Sequence, residues 1–181
     1  ASGVRRARVA DRSKRLFREP LPAQFMLPDE VVAVRVQGTW QFFDPARAHL
    51  PVGRLRWQNE GVPSLLCDRR DSVFVSTPRT PVRESRIVRT GHLLIEEDGA
   101  ATGLLSVDCH GHPANHLRPQ LSHHAVGTAD FAAWIGNELL RLNSADVEEL
   151  LVQQATNPET PLEITCRVRL PLFAPGNGAR M

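Results

Sequence analysis

One carboxylate in the sequence stands in a setting that favours a chemical role, and that residue is Asp44. It ends the aromatic, apolar segment Thr39–Phe43, and Pro45 follows directly, which stops a strand. A carboxylate at the end of a buried strand is costly unless another group pairs with it, so such a residue usually has a task. One aspartate alone does not specify a reaction.

Histidine is the first kind of partner to consider for this carboxylate. His49 follows Asp44 within the same predicted loop, so an Asp–His dyad is one interpretation. The other is a surface histidine. No cysteine or serine stands nearby in a recognisable nucleophile motif, and we therefore expect the surface histidine.

Zinc-ligand residue types also cluster in the sequence, at Cys109, His110, His112, His116, His123 and His124. A structural zinc site needs a tetrahedral set of such ligands. Neighbouring residues of a strand point to opposite faces, however, and these spacings match no standard zinc finger. We expect exposed histidines, no bound metal and no other cofactor.

The three cysteines are far apart and lack the spacing of a redox or metal motif. Cys67, which follows two leucines, is predicted to be a core thiol. Cys109 and Cys166 lie on predicted strands and are either core thiols or a disulfide pair. The redox compartment therefore stays open.

The composition of the chain limits the classes of protein to which it can belong. The chain has 181 residues, of which 41% are hydrophobic and 23% charged, as is typical of a soluble globular protein. No apolar run is long enough to cross a bilayer, so we expect no membrane insertion, and Ala1–Arg18 lacks the apolar core of a signal peptide. The first residue is not Met, which we interpret as a part of a longer or processed protein.

Basic residues concentrate near the start, at Arg5, Arg6, Arg8, Arg12, Lys14, Arg15 and Arg18. A nucleic-acid-binding arm would explain them, and so would a strand followed by a polar loop. Phe17 is the only aromatic residue there, Asp11 and Glu19 interrupt the run, and the net charge of the chain is only +2. We predict a strand and a loop, with no nucleic acid as partner.

The first part of the chain predicts short strands at Val31–Val36, Thr39–Phe43, Ser64–Cys67 and Val73–Val75. Gln37–Gly38 is expected to form a tight hairpin turn. The stretch Pro45–Pro63 predicts an irregular loop in which Trp57 either closes over a cleft or pins the loop. The proline-spaced Thr77–Pro81 then predicts a linker between two domains.

The second part predicts longer strands at Ile87–Glu96, Thr102–Cys109 and Leu162–Leu170, with an Asp98–Gly99 hairpin turn. A helix is predicted near 129–142, capped by Thr128, with one apolar face made of Phe131, Trp134, Ile135, Leu139 and Leu142. From the residues alone Val147–Val152 is either a helix or a strand. The whole is an α+β fold dominated by β-structure, whose second part is an antiparallel sheet or sandwich with one packed helix.

Two blocks of this sequence resemble the aspartate segment of the bacterial transglutaminase-like superfamily, which uses a papain-like Cys-His-Asp arrangement. They are Val34–Pro45 and Leu50–Pro63. Similar family segments match Ser2–Val4 with Val9–Ser13, the proline-rich link, the hairpin Arg86–Cys109 and the strand start Pro161–Ile164. The resemblance covers nearly the whole chain and favours a strand at Val147–Val152. It implies a C-terminal part of a transglutaminase-like domain at 1–80 and a β-sandwich-type domain at 85–175.

The resemblance carries only one catalytic residue over to this chain, Asp44 as the aspartate that orients the histidine. The cysteine nucleophile belongs upstream of Ala1. The histidine belongs at the start of the strand before the turn, where the sequence is Met26–Val31 and contains none. Without a base the thiol chemistry lacks a proton acceptor.

These observations lead to two hypotheses about function. The first is a non-catalytic portion of a transglutaminase-like protein with a degenerate active site and a structural or interaction role. Its partner would be the rest of a longer parent chain or another protein. The second is that Asp44 completes an amide hydrolase or transglutaminase site whose cysteine and histidine lie outside this chain. The resemblance also suggests an extracytoplasmic location.

Overall fold

The computed structural model describes residues 3–14, 26–68, 71–124, 127–142, 145–171 and 173. The chain forms two compact units, Ala1–Glu84 and Ser85–Met181. Each contains one antiparallel sheet, so the predicted α+β class with dominant β-structure is confirmed. Residues 15–25, which hold most of the predicted polar loop after the first strand, lie outside the described residues.

The N-terminal sheet has five strands in the order β3-β2-β1-β4-β5, all paired antiparallel. Their bounds are β1 Val4–Val9, β2 Asp29–Val36, β3 Thr39–Phe43, β4 Pro63–Cys67 and β5 Val73–Ser76. The strand that comes first in the sequence is therefore the central one. The first family segment matched by the resemblance begins at Ser2, and the structure describes it from residue 3 onward.

The predicted turn between β2 and β3 is confirmed. Val36 pairs with Thr39, which leaves Gln37 and Gly38 as the only turn residues. Their φ angles are 49° and 86°, so both lie in the left-handed region. Two such residues in succession form the type I′ turn, whose twist matches that of a two-stranded hairpin.

The core of the N-terminal unit lies on one face of its sheet. Strand register places Ala7 of β1 between Val31 of β2 and Leu66 of β4, and all of these side chains are buried. Loop residues Leu27, Leu55 and Val62 complete the same cluster. Burial of aliphatic side chains from both strands and loops thus holds the loops against the sheet. Cys67 is half-buried and lies outside this cluster, so the prediction of a core thiol there is wrong.

The C-terminal sheet has four strands in the order β6-β7-β9-β8. Their bounds are β6 Arg86–Ile95, β7 Ala101–His110, β8 Asp146–Gln153 and β9 Leu162–Leu170. Of the sheet and sandwich alternatives, the described residues of this unit form a single sheet. The predicted alternation in β9 is confirmed, since its even-numbered side chains from Leu162 to Leu170 are buried. Segment Asp146–Gln153 is a strand, as the resemblance favoured.

The described residues of the C-terminal unit contain three helical segments. The predicted helix forms α2, Ala129–Trp134, and continues as a π-helical turn over Ile135–Leu140. The hydroxyl of Thr128 accepts a hydrogen bond from the Phe131 N–H at 3.2 Å, so the predicted cap is present. The chain then leaves the helix at Arg141, whose φ is 58°.

Helix α1, His112–Leu121, was not expected from the sequence. Pro113 lies in its first turn, where a missing N–H costs nothing, and Pro119 lies in its last turn. Two prolines within ten residues argue against a helix in the sequence. They are tolerated here because they lie in the first and last turns and not in the middle. Leu117 and Leu121 of α1 join Phe131 and Ile135 in the core against one face of the sheet.

Thr77–Pro81 was predicted as a linker, and in the structure it is docked on the N-terminal unit. Thr77 is buried, and its hydroxyl donates to the Asn59 carbonyl at 2.6 Å. The division between the two units falls further along the chain, between Glu84 and Ser85. Among the described residues, no helix is long and apolar enough to span a bilayer.

Candidate functional site

Asp44 directly follows strand β3 and is half-buried. Its Oδ1 accepts a hydrogen bond from the Ala46 N–H at 3.2 Å, and its carbonyl accepts one from the Arg47 N–H at 3.2 Å. An aspartate that bonds the backbone two residues on, with proline next to it, stabilises a tight turn. The side chain therefore holds the end of the hairpin in place with one of its two oxygens.

Asp44 and Asp29 lie at the same end of the β2–β3 hairpin. Val32 pairs with Phe43, so continuing the register places Asp44 beside Val31. Asp29 is the first residue of β2, and it shares a sheet face with Val31 because side chains of a strand alternate with a period of two. The resemblance expects the histidine within Met26–Val31, at this end of the hairpin, and the charged residues of that stretch are the carboxylates Asp29 and Glu30.

Asp29 is held by a polar cluster that the sequence did not predict. Its Oδ2 lies 2.8 Å from Nη2 of Arg56 and accepts a hydrogen bond from Nδ2 of Asn59, also at 2.8 Å. Nε of Arg56 in turn donates to Oδ1 of Asn59 at 3.1 Å. Each of the three side chains therefore bonds the other two, which fixes their positions.

Asn59 is the centre of this cluster and is fully buried. Its Nδ2 also donates to the Ala10 carbonyl at 3.0 Å, so the side chain connects β1, β2 and the loop before β4. The next residue, Glu60, is buried too and accepts from both the N–H and the hydroxyl of Thr80, at 3.0 and 2.5 Å. The loop predicted to be irregular is thus fixed by hydrogen bonds to buried side chains.

Asp11, the residue after Ala10, is a further buried carboxylate. Burial raises its pKa, but hydrogen bonds from the N–H and hydroxyl of Ser13, at 2.9 and 2.5 Å, and the nearby charge of Lys14 outweigh that effect. The net result is a pKa below the usual value, because these contacts all favour the ionised form. Asp11 therefore acts as a fixed acceptor and stays charged at neutral pH.

Trp57 and His49, both in the loop after Asp44, contribute differently. Trp57 opens a short 3₁₀ turn, Trp57–Asn59, and its exposed ring lies beneath the Arg12 guanidinium at 5.2 Å. It therefore covers the turn that contains Asn59, which favours the pinning interpretation. Nδ1 of His49 is buried, and among the described residues it has no hydrogen-bond partner and does not bond Asp44.

The structure distributes the Cys–His cluster over separate environments. Cys109 lies in the core on β7, whereas His112 and His116 belong to α1. His116 bonds Gln120 one turn further on, and the His124 ring stacks on Trp134 with centroids 4.6 Å apart. In the part of the chain that the structure describes, no three His, Cys, Asp or Glu side chains come together in a metal-binding arrangement.

All three cysteines are free thiols. In the register of β7 and β9, Cys109 pairs with Leu162 and Cys166 pairs with Leu105, so the two thiols are not opposite each other. Burial raises the pKa of Cys109 to about 11, against the opposing charges of Arg89 and Arg118, and burial also raises the pKa of Cys166. Both thiols are therefore protonated at neutral pH and are poor nucleophiles.

Comparison with protein-family models, with curated proteins and with solved structures found no match. The transglutaminase-like resemblance consequently depends on the motifs quoted above. The candidate site is the hairpin end, where Asp44 bonds a turn and Asp29 is held by Arg56 and Asn59.

Proposed function

We propose that this chain is a non-catalytic portion of a transglutaminase-like protein with a structural or interaction role. The observation that carries the proposal is the environment of Asp29. At the strand start where the family has its histidine, this chain has a carboxylate paired with Arg56 at 2.8 Å and with Asn59 at 2.8 Å.

The chemistry of the proposal follows from that pairing. Attack on an amide by a thiol needs a base of suitable pKa within hydrogen-bond reach. The Oδ2 of Asp29 is already occupied by the Arg56 guanidinium and the Asn59 amide, so this carboxylate is held as a structural acceptor. Such a residue fixes loops and strands relative to one another, which is what a binding scaffold requires.

The state of the buried thiols supports the same proposal. Burial raises the pKa of Cys109 to about 11 and also raises that of Cys166. A thiol in the core of a sheet lacks both the ionised form and the access that a nucleophile needs. We expect the partner of such a scaffold to be the rest of a longer parent chain or another protein.

The alternative function is that Asp44 orients a histidine supplied from outside this chain. The position of Asp44 favours it, because the carboxylate is half-buried at the end of β3. Its Oδ1 makes the only side-chain hydrogen bond of Asp44 among the described residues, so Oδ2 remains available to an imidazole N–H.

The experiment that separates the two functions measures peptide cleavage and glutamine-dependent amine incorporation between pH 5 and 9 in the longer parent protein as well as in this chain, because the alternative takes its cysteine and histidine from outside this chain. For the chain alone we expect neither activity above background, and Asp44→Asn should change stability only. Asp146→Asn, an exposed carboxylate on β8, is the matched control. Turnover that is lost in Asp44→Asn and kept in Asp146→Asn, with both variants folded, would establish the alternative.

A further inference from the structure

Strand β6 forms an exposed edge of the C-terminal sheet. It has ten residues, contains no proline, lysine or acidic residue, and pairs with β7 without a bulge. Its apolar side chains are exposed, with Leu94 at 71% and Ile95 at 55% of full accessibility. A long apolar edge with unpaired backbone groups is a template for another strand.

The other three sheet edges, as described, each carry a feature that discourages pairing. In the N-terminal sheet, β3 and β5 have only five and four residues. In the C-terminal sheet, β8 has a register shift between Glu148 and Leu151, and the intervening Glu149 has a φ of 47°. Short strands and bulges protect edges from association, and β6 has neither; its charged side chains are Arg86 and Arg89.

The backbone groups that β6 offers can be assigned from its hairpin. The Glu96 N–H donates to the Ala100 carbonyl at 2.8 Å, and the register is unbroken from there to Arg86. Hydrogen-bonded residues alternate along an antiparallel ladder, so the even-numbered residues of β6 bond β7. The N–H and C=O groups of its odd-numbered residues, centred on Gly91, therefore point away from the sheet.

Most side chains of β6 are arranged symmetrically about Gly91. In the sequence Ile87-Val88-Arg89-Thr90-Gly91-His92-Leu93-Leu94-Ile95, two apolar residues stand at each end and Thr90 and His92 flank the centre, whereas Arg89 and Leu93 are an unlike pair. Antiparallel pairing of a strand with a copy of itself requires such symmetry, because each residue then meets its mirror position.

We propose that β6 pairs antiparallel with β6 of a second copy of this chain, with the twofold axis at Gly91, and that the two four-stranded sheets become continuous. This inference rests on the interaction role proposed above and names the partner. In this register Ile87 lies opposite Ile95 of the second copy on the helix-covered side. Val88 lies opposite Leu94 of the second copy on the open side, so both exposed apolar ends are covered.

Charge complementarity selects this register over its neighbours. Arg86 falls opposite Glu96 of the second copy, which gives one cross-strand ion pair at each end. Only shifts by two residues keep each side chain on its own face of the sheet. Such a shift places Arg86 opposite Leu94 in one direction. In the other it places Val88 opposite Glu96 and Arg86 opposite Asp98, which lies in the hairpin turn. Of the three registers, only the Gly91-centred one places Arg86 opposite an acidic residue that still bonds within the β6–β7 ladder, since the Glu96 N–H donates to the Ala100 carbonyl.

The first test measures the mass of the chain in solution by sedimentation equilibrium. We expect twice the mass of one chain, and Leu94→Glu should raise the dissociation constant by about tenfold or more because it disrupts two symmetry-related contacts. Leu151→Glu is the control, since Leu151 is 52% exposed on the opposite edge strand β8. A monomer at all concentrations, or equal effects of the two variants, would overturn the proposal.

A second test reports the register by disulfide formation in a Cys67→Ser background. Val88 and Leu94 of the second copy form a non-hydrogen-bonded pair, whose Cα atoms lie about 4.5 Å apart and suit a disulfide. Within one chain the same two positions are about 20 Å apart along the strand. We expect Val88→Cys/Leu94→Cys to give a covalent dimer on mild oxidation and Val88→Cys/His92→Cys to give little. Equal cross-linking of the two would overturn the Gly91-centred register.

Charge reversal provides a check that does not depend on oxidation. Arg86→Glu and Glu96→Arg should each weaken the dimer, and the two together should restore it.

Failure of the proposed β6 pairing is distinct from failure of the proposed function. A monomer that lacks amide turnover overturns the pairing alone, whereas a dimer with amide turnover overturns the non-catalytic role alone.

Discussion

The guanidinium of Arg118 donates from Nη2 to the carbonyl oxygen of Thr160 at 2.6 Å, and from Nε to that of Gln154 at 3.3 Å. The Arg118 side chain is only 2% exposed, and burial lowers its pKa. These bonds connect helix α1 to both ends of the segment between β8 and β9. An arginine in the core of this unit therefore has a structural task.

Replacing that arginine should destabilise the C-terminal unit. Arg118→Ala removes both hydrogen bonds and leaves two carbonyls and a cavity, so we expect a loss of about 3 kcal/mol in the free energy of unfolding. Arg169→Ala, at an exposed position on β9, should change it by less than about 0.5 kcal/mol. Guanidinium denaturation followed by circular dichroism measures both. Equal shifts in the two variants would show that the buried bonds contribute nothing.

The Asp98–Gly99 turn of the β6–β7 hairpin gives a second prediction. Gly99 has a φ of 86°, and Asp98 Oδ1 accepts from the Ala100 N–H at 2.9 Å. Gly99→Val forces a β-branched residue into the left-handed region, so we expect a destabilisation of at least about 1 kcal/mol. Gly99→Asn is the control, because asparagine tolerates that region and should cost less. Identical urea midpoints for Val and Asn would contradict this assignment.

Asn59 should be among the most sensitive polar positions of the N-terminal unit. Asn59→Ala deprives Asp29, Arg56 and the Ala10 carbonyl of their common partner, and we expect a loss of about 2 kcal/mol. Gln41→Ala, at an exposed position on β3, is the control and should be close to neutral. Thermal unfolding measures the difference. A melting temperature unchanged in Asn59→Ala would show that the cluster does not hold the loop.

The different burial of the three thiols predicts different rates of chemical labelling. At pH 7.5 we expect a disulfide reagent to label half-buried Cys67 rapidly and the buried Cys109 and Cys166 only after denaturation. Rapid labelling of all three cysteines in the folded chain would contradict the described burial.

The pKa of Cys109 gives a stability change at alkaline pH. The folded pKa is raised from 9.0 to about 11, so the contribution of this group is fully present below pH 9 and is lost as pH rises toward 11. At most about 3 kcal/mol is involved. We expect the loss to be smaller in Cys109→Ala, measured by urea unfolding at pH 8 and at pH 10.5. The same pH dependence in both proteins would contradict the assignment to Cys109.

Local signals in the sequence were sufficient for the strands other than β8, for the two hairpin turns and for the capped helix, whereas the residues of β8 alone fitted a helix as well as a strand. Gln37–Gly38 and Asp98–Gly99 specify their turns through backbone preferences, and the alternation in β9 specifies which face is buried. Helix α1 was not predicted because Pro113 and Pro119 lower the helix propensity of the whole segment. Packing of Leu117 and Leu121 on the sheet stabilises the helix, and the sequence does not show that packing.

The polar cluster at the hairpin end could not be predicted for a different reason. Asp29 is distant in the sequence from Arg56 and Asn59, and meets them only because β1 pairs with β2 and the loop folds back on both. A buried asparagine leaves no periodic signal. Asp44 was singled out in the sequence because a carboxylate directly after an apolar strand is unusual. Its hydrogen bond from the Ala46 N–H is visible only in the structure.

The place of β1 at the centre of the N-terminal sheet has a consequence for synthesis of the chain. β1 is synthesised before its two neighbours, β2 and β4, which begin only at Asp29 and Pro63. β2 can pair with β1 as soon as it emerges, but until β4 follows, the other side of β1 has unpaired backbone groups. The central strand of the folded sheet is therefore an exposed edge during synthesis. Nascent chains with such edges are prone to aggregate and are typical clients of chaperones.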